Sequence, residues 1–148
     1  METGTVADFY DRYSSRQLAA GVNERHHVIR DLAVLHGLKD GMRVLEMGCG
    51  IGTLTGLLAQ RIPNGKLLAV DLSPTSIEKA RSMLNEAKNV ELLAADVVTA
   101  PFDGLFDMIV LPDVLEHIPF DRHVALFARL KSLLTAEGRV LIHSPDAF

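Results

Sequence analysis

Glu46, Gly48, Gly50 and Gly52 fall at alternate positions where the apolar run Arg43-Val44-Leu45-Glu46-Met47 gives way to a turn. Glycines between a strand and a helix let a ligand approach the backbone, because no Cβ intervenes and a positive φ costs little. Turns of this kind commonly hold pyrophosphate on the N–H groups of the following helix. Here a carboxylate stands beside the glycines and no cation does. The turn therefore favours a positively charged nucleoside and would repel a diphosphate. Cys49, the only cysteine, reads as a small residue tolerated at a tight turn, since no basic neighbour in sequence activates its thiol.

A second group lies in the segment Leu111-Pro112-Asp113-Val114-Leu115-Glu116-His117-Ile118-Pro119. Asp113, Glu116 and His117 stand at i, i+3 and i+4 and on a helical turn would share one face. His117 suits a general base near neutral pH. The three could also bind a divalent cation, which is not the favoured reading, or Glu116 and His117 could hold the loop by hydrogen bonds. His26, His27, His36, His123 and His143 receive no functional role, because isolated histidines near helix ends are more often surface or capping residues.

Five near-continuous apolar runs must position these groups: residues 43–47, 66–70, 90–94, 106–111 and 139–143. Runs without alternation read as parallel strands covered on both faces. Segments of helical period lie between them, carrying Leu54, Leu57, Leu58 and Arg61; Ile77, Ala80, Arg81 and Leu84; and Val124, Phe127, Leu130, Leu133 and Leu134. Ser73-Pro74 starts a helix, Asp121 is an expected N-cap, and Pro63-Asn64-Gly65 and Glu137-Gly138 are expected helix ends. Two helices should precede the first strand, over about residues 8–20 and 23–36. On the first, Tyr10, Tyr13 and Gln17 could line a lid or pack on the domain. The alternation predicts an α/β doubly wound, mostly parallel sheet, with ligands beyond the carboxyl ends of its strands.

Four motifs in order resemble the class I S-adenosylmethionine-dependent methyltransferases: the pattern E-x-G-x-G-x-G at Glu46 to Gly52, Asp71 ending the second run, Ala95-Asp96-Val97 after the third, and Phe106 to Val110 as the fourth. A lone glycine turn would be weak, since dinucleotide-binding folds also place an acid about 20 residues further on. The resemblance implies S-adenosylmethionine as cofactor and S-adenosylhomocysteine as product. It places Glu46, Gly48, Cys49 and Gly50 near the methionine moiety, Asp71 on the ribose hydroxyls and Leu72 over adenine. Asp96 would accept from the adenine amino group, the Val97 backbone would read the ring edge, and the Leu111 backbone would lie beside the amino-acid portion. The segment holding His117 resembles that of ubiquinone-pathway O-methyltransferases, with Asp113 where a glutamate is usual.

Family members continue after the fifth strand with two further strands and a helix. The expectation is thus one domain, with N-terminal helices to residue 38 and an α/β core over 39–148, truncated after the fifth strand. Its exposed strand edge could support self-association. The 148 residues, 48% hydrophobic and 23% charged, suit one soluble domain with a substantial core. No run is long enough to span a bilayer and the N-terminus lacks a secretory pattern, so the expectation is a cytoplasmic protein without membrane contact. A net charge of −4 disfavours nucleic acid as partner. The leading function is methyl transfer to oxygen or nitrogen of a small-molecule acceptor. A cofactor-binding module that pairs with a partner, or an NAD-dependent oxidoreductase, would use the same sheet.

Overall fold

A computed structural model describes residues 21–145. The expected first helix, with Tyr10, Tyr13 and Gln17, and the closing residues 146–148 lie outside that range. The strands are β1 (Arg43–Met47), β2 (Lys66–Asp71), β3 (Val90–Ala94), β4 (Phe106–Pro112) and β5 (Leu134–His143). All their pairings are parallel, and the sheet order is β3-β2-β1-β4-β5. The helices are α1 (Glu24–Leu35), α2 (Thr53–Ala59), α3 (Pro74–Met83) and α4 (His123–Leu133).

Local signals start two of these helices. Asn23 caps α1 by accepting from the His26 N–H at 3.3 Å, while His26 Nδ1 accepts from the Asn23 N–H at 3.1 Å. Ser73 caps α3 with Pro74 at the first helical position. Alternation along the central strands then divides the core. Val44, Leu67, Met108 and Val110 meet Ile29 and Ala33 of α1 and Leu54 and Leu58 of α2. Leu45, Met47, Ile109 and Leu111 meet Leu126, Leu130 and Leu133 of α4 on the opposite face. Ile77 of α3 packs on Ala69 and Cys49. Each buried aliphatic side chain contributes roughly 1.5–3 kcal/mol of transfer free energy, and the glycine turn follows a strand whose residues from Val44 to Met47 are all buried.

Several expectations are corrected. Only the three central strands are buried on both faces; β3 and β5 lie at the edges and are partly exposed. Glu137-Gly138 does not end a helix. The chain passes from α4 directly into β5, where Phe106 pairs with Leu134 but Met108 pairs with Arg139. Residues 135–138 therefore bulge opposite Asp107, and Gly138 fits there because a Cβ would lie 3.0 Å from the carbonyl oxygens of Phe106 and Thr135. Asp121 is not an N-cap, since a 3-10 turn over Phe120–Arg122 leads into α4. Of the row read in the sequence, Leu130 and Leu133 are buried, together with Leu126, whereas Val124 and Phe127 are exposed and Leu134 begins β5.

Gly48 adopts φ 81 and an added Cβ would fall 2.2 Å from Val114 Cγ2. Gly48→Ala should destabilise the fold by about 2 kcal/mol or more, combining left-handed strain of roughly 1–2 kcal/mol with the clash. In urea unfolding, Gly48→Ala with Val114→Ala should lose less than the sum of the two single changes. Strict additivity would mean that this contact does not limit the turn.

Candidate functional site

The sheet changes direction between β1 and β4: β2 and β3 extend to one side, β5 to the other. At such a switch point the loops leaving neighbouring strands part and open a crevice at the carboxyl ends. The turn after β1 and the segment after β4 form its two walls, and Val114 of the second lies against Gly48 of the first.

The turn is held by its own N–H groups. Those of Gly48 and Cys49 donate to the Val70 carbonyl at 2.7 and 2.9 Å, and that of Gly52 donates to the Cys49 carbonyl at 3.0 Å. The Gly50 N–H donates to Asp71 Oδ2 at 2.8 Å. Gly48, Gly50 and Gly52 all have positive φ, at 81°, 55° and 88°, which side chains with a Cβ rarely adopt. Four donors that could have cradled a phosphate are thus directed inward, and a carboxylate occupies the fourth. Asp71 also accepts from the Ser73 N–H at 2.9 Å, so both of its oxygens brace the crossover. Burial raises its carboxyl above the usual range against these two bonds.

Glu46 has no exposed surface. Its Oε1 accepts from the Thr55 hydroxyl at 2.6 Å, while Oε2 is buried and unpartnered among the described residues. Burial pushes the carboxyl up to about 7; the Thr55 hydrogen bond opposes this and the neighbouring Asp71 adds to it. Cys49 is buried beside these acids and its thiol is pushed up, first by burial and then by Glu46 and Asp71. It is a neutral packing residue of the turn. Thr55, not singled out in the sequence, is a buried polar residue among the leucines of the short α2. That contrast was its only signal.

Leu72 follows β2 and is 46% exposed, so it is not core. Asp96 is fixed by the Val98 N–H on Oδ1 at 2.9 Å and by Arg122 on Oδ2 at 3.0 Å. The hydrogen bonds and the guanidinium hold its carboxyl below the usual range although partial burial works against them. Val97 packs partly buried against the α4 side of the core, and the Leu111 side chain is fully buried there. The Ala95 N–H donates to the Asp71 carbonyl at 2.9 Å, which brings the ends of β2 and β3 together.

The expected Asp113-Glu116-His117 face does not form. Asp113 lies before the 3-10 turn (Leu115–His117), adopts φ 55 and turns to Arg25 and His143. His117 is half-exposed, with Nε2 3.8 Å from Glu116. Among the described residues no group of three His, Cys, Asp or Glu side chains could hold a metal ion. No described helix is long and apolar enough to cross a membrane. Arg25, Arg122 and His143 enter the site from distant sequence, and only the position of His143 at a strand's carboxyl end hinted at its place.

The Glu46 carboxyl sets a pH dependence. The folded chain keeps its proton to about 7, whereas the unfolded chain loses it near 4.5. Stability should fall as pH rises between these values, by an amount of order 3 kcal/mol, and level off above. In urea titrations from pH 4.5 to 8, Glu46→Gln should flatten the decline. An unchanged slope would show that the carboxyl is not neutral in the fold.

Comparison with known proteins agrees with this geometry. The profile of a family described as a methyltransferase domain matches residues 44–138. Malonyl-acyl-carrier-protein O-methyltransferase 1 of Ilyobacter polytropus is 29% identical over 134 residues, covering 90% of this chain and 47% of that protein. Trans-aconitate 2-methyltransferase of Escherichia coli O7:K1 is 33% identical over 123 residues, covering 83% of this chain and 47% of that protein. The chain thus spans about half the length of these curated relatives. The crystal structure of coclaurine N-methyltransferase bound to N-methylheliamine and SAH aligns with a TM-score of 0.71 at 26% identity, covering 79% of this chain and 35% of that one. With the profile matched across most of the chain, on a parallel sheet of this order, the chain belongs to the methyltransferase-domain family, among the class I S-adenosylmethionine-dependent methyltransferases.

Proposed function

We propose that this chain binds S-adenosylmethionine in the crevice between β1 and β4, and that the protein transfers its methyl group to an oxygen or nitrogen of a small-molecule acceptor. The observation that carries the reading is Glu46: a fully buried carboxyl with one oxygen unpartnered among the described residues, beside a turn whose N–H groups face inward. An unsatisfied buried acid is costly unless a cation reaches it. A sulfonium and ammonium nucleoside meets that requirement and a dinucleotide does not.

S-Adenosylmethionine supplies a methyl group on a positively charged sulfur, a good leaving group. The chain's own residues then have to bind and orient. Glu46 would complement the charge of the methionine end, with the backbone of Gly48, Cys49 and Gly50 passing close by. Asp71 would offer the ribose hydroxyls charge-assisted acceptors while keeping its hold on Gly50. Leu72 would cover adenine with its exposed face. Asp96 would accept from the amino group, sharing its carboxylate with Arg122, while the Val97 backbone reads the ring edge. The Leu111 backbone would flank the amino-acid portion. Alignment of donor with acceptor can supply roughly 7–11 kcal/mol of the barrier reduction. The relatives named above include proteins described as O- and N-methyltransferases, which supports a small-molecule acceptor.

Calorimetric titration should give micromolar affinity for S-adenosylmethionine and S-adenosylhomocysteine, about −8 kcal/mol. Asp71→Asn preserves shape while removing charge and should weaken both at least about tenfold, as expected for a hydrogen bond to a charged group. NAD should not bind measurably. Tight NAD binding with no binding of S-adenosylmethionine would reverse the reading.

A further inference from the structure

Asp113 is the single non-glycine residue with positive φ among the described residues, at 55°. Left-handed backbone at such a residue costs about 1–3 kcal/mol and persists where the surroundings over-determine it. Three bonds do so here. The Asp113 N–H donates to the His143 carbonyl at 2.8 Å, Arg25 Nη1 donates to Oδ2 at 2.5 Å, and His143 Nδ1 lies 2.6 Å from Oδ1. The Asp113 side chain is only 10% exposed. Both of its oxygens are therefore committed, one to a guanidinium and one to an imidazole.

A carboxylate facing Nδ1 places the ring proton on that nitrogen and leaves the lone pair on Nε2. His143 Nε2 has no hydrogen-bond partner among the described residues, and the side chain is 23% exposed. The pair also sits at the crevice. Pro112 is opposite His143 in the register of β4 with β5, and Val114, next to Asp113, touches the Gly48 position.

Building on the methyl-transfer reading above, we propose that Asp113 and His143 form a proton-accepting dyad for the methyl acceptor, with Arg25 as a positioning residue. The acceptor is then one that arrives protonated, a hydroxyl or an ammonium, rather than a carboxylate. His143 Nε2 takes the proton from the acceptor's O–H or N–H as that atom's electron pair forms the new bond to the methyl carbon. The carbon–sulfur bond breaks with its electron pair remaining on sulfur, leaving a neutral thioether, and the imidazolium returns the proton to solvent. Asp113 holds the productive tautomer and stabilises the imidazolium, and Arg25 keeps Asp113 in its left-handed pose.

The test uses the 148-residue chain with labelled S-adenosylmethionine against panels of phenols, alcohols, primary amines and dicarboxylates, with S-adenosylhomocysteine affinity measured in parallel. Phenols, alcohols or amines should be methylated, with kcat rising with pH through one ionisation. His143→Gln should lower kcat about 10²–10⁴-fold and abolish that ionisation, with KM and S-adenosylhomocysteine affinity nearly unchanged. Asp113→Asn should act the same way, while Arg25→Lys should retain more activity than Arg25→Ala. Methylation of dicarboxylates only, or of no acceptor by a chain that binds the cofactor, would overturn the dyad. So would an ionisation that survives in His143→Gln and disappears in His117→Gln. Loss of cofactor binding in the unmodified chain would instead refute the methyl-transfer reading itself.

Discussion

Asp71 Oδ2 accepts the Gly50 N–H while Oδ1 accepts that of Ser73, and this one carboxylate ties the glycine turn to the second crossover. The turn cannot relax outward to meet an anion while it is held this way. Glu46 is buried beside it, with Thr55 as its one donor and one oxygen unsatisfied among the described residues. Two buried acids with raised proton affinity then stand side by side, which is the basis of the proposal that a cation binds here. The glycines are needed because only they allow three left-handed residues within five positions.

The second wall depends on the first. Gly48 has no Cβ, so Val114 packs against the turn and fixes where the chain goes after β4. Next to it, Asp113 is held in its left-handed conformation by Arg25 from α1 and His143 from β5. The turn after β1 and the segment after β4 thus meet where Val114 lies against Gly48, so the proposed cofactor and acceptor sides would adjoin there. A change at Gly48 would be felt in the orientation of His143.

Most of the sheet was legible because parallel strands with two covered faces leave long apolar runs, and Val44 to Met47 and Met108 to Leu111 follow that rule. Ser73 with Pro74 marked a helix start through capping chemistry confined to four residues. Long-range geometry was not legible. Asp113, Glu116 and His117 have helical spacing, but the chain turns left-handed at Asp113 and the register between them is lost. The bulge at Glu137-Gly138 looks in sequence like a helix stop, since a glycine serves either purpose. The ion pair of Asp96 with Arg122 and that of Asp113 with Arg25 join residues 26 and 88 positions apart, which no local pattern announces.

The chain spans about half of its curated relatives, and Glu46, Thr55 and Asp71 all lie within its described residues. If that carboxyl is neutral in the free protein and ionises when a cationic nucleoside enters, binding must expel its proton. Isothermal titration of S-adenosylmethionine at pH 6, in two buffers of different ionisation enthalpy, measures this directly. Release of about one proton per cofactor bound, lost in Glu46→Gln, is the expected result. Equal heats in the two buffers, or the same proton release without the Glu46 carboxyl, would contradict it.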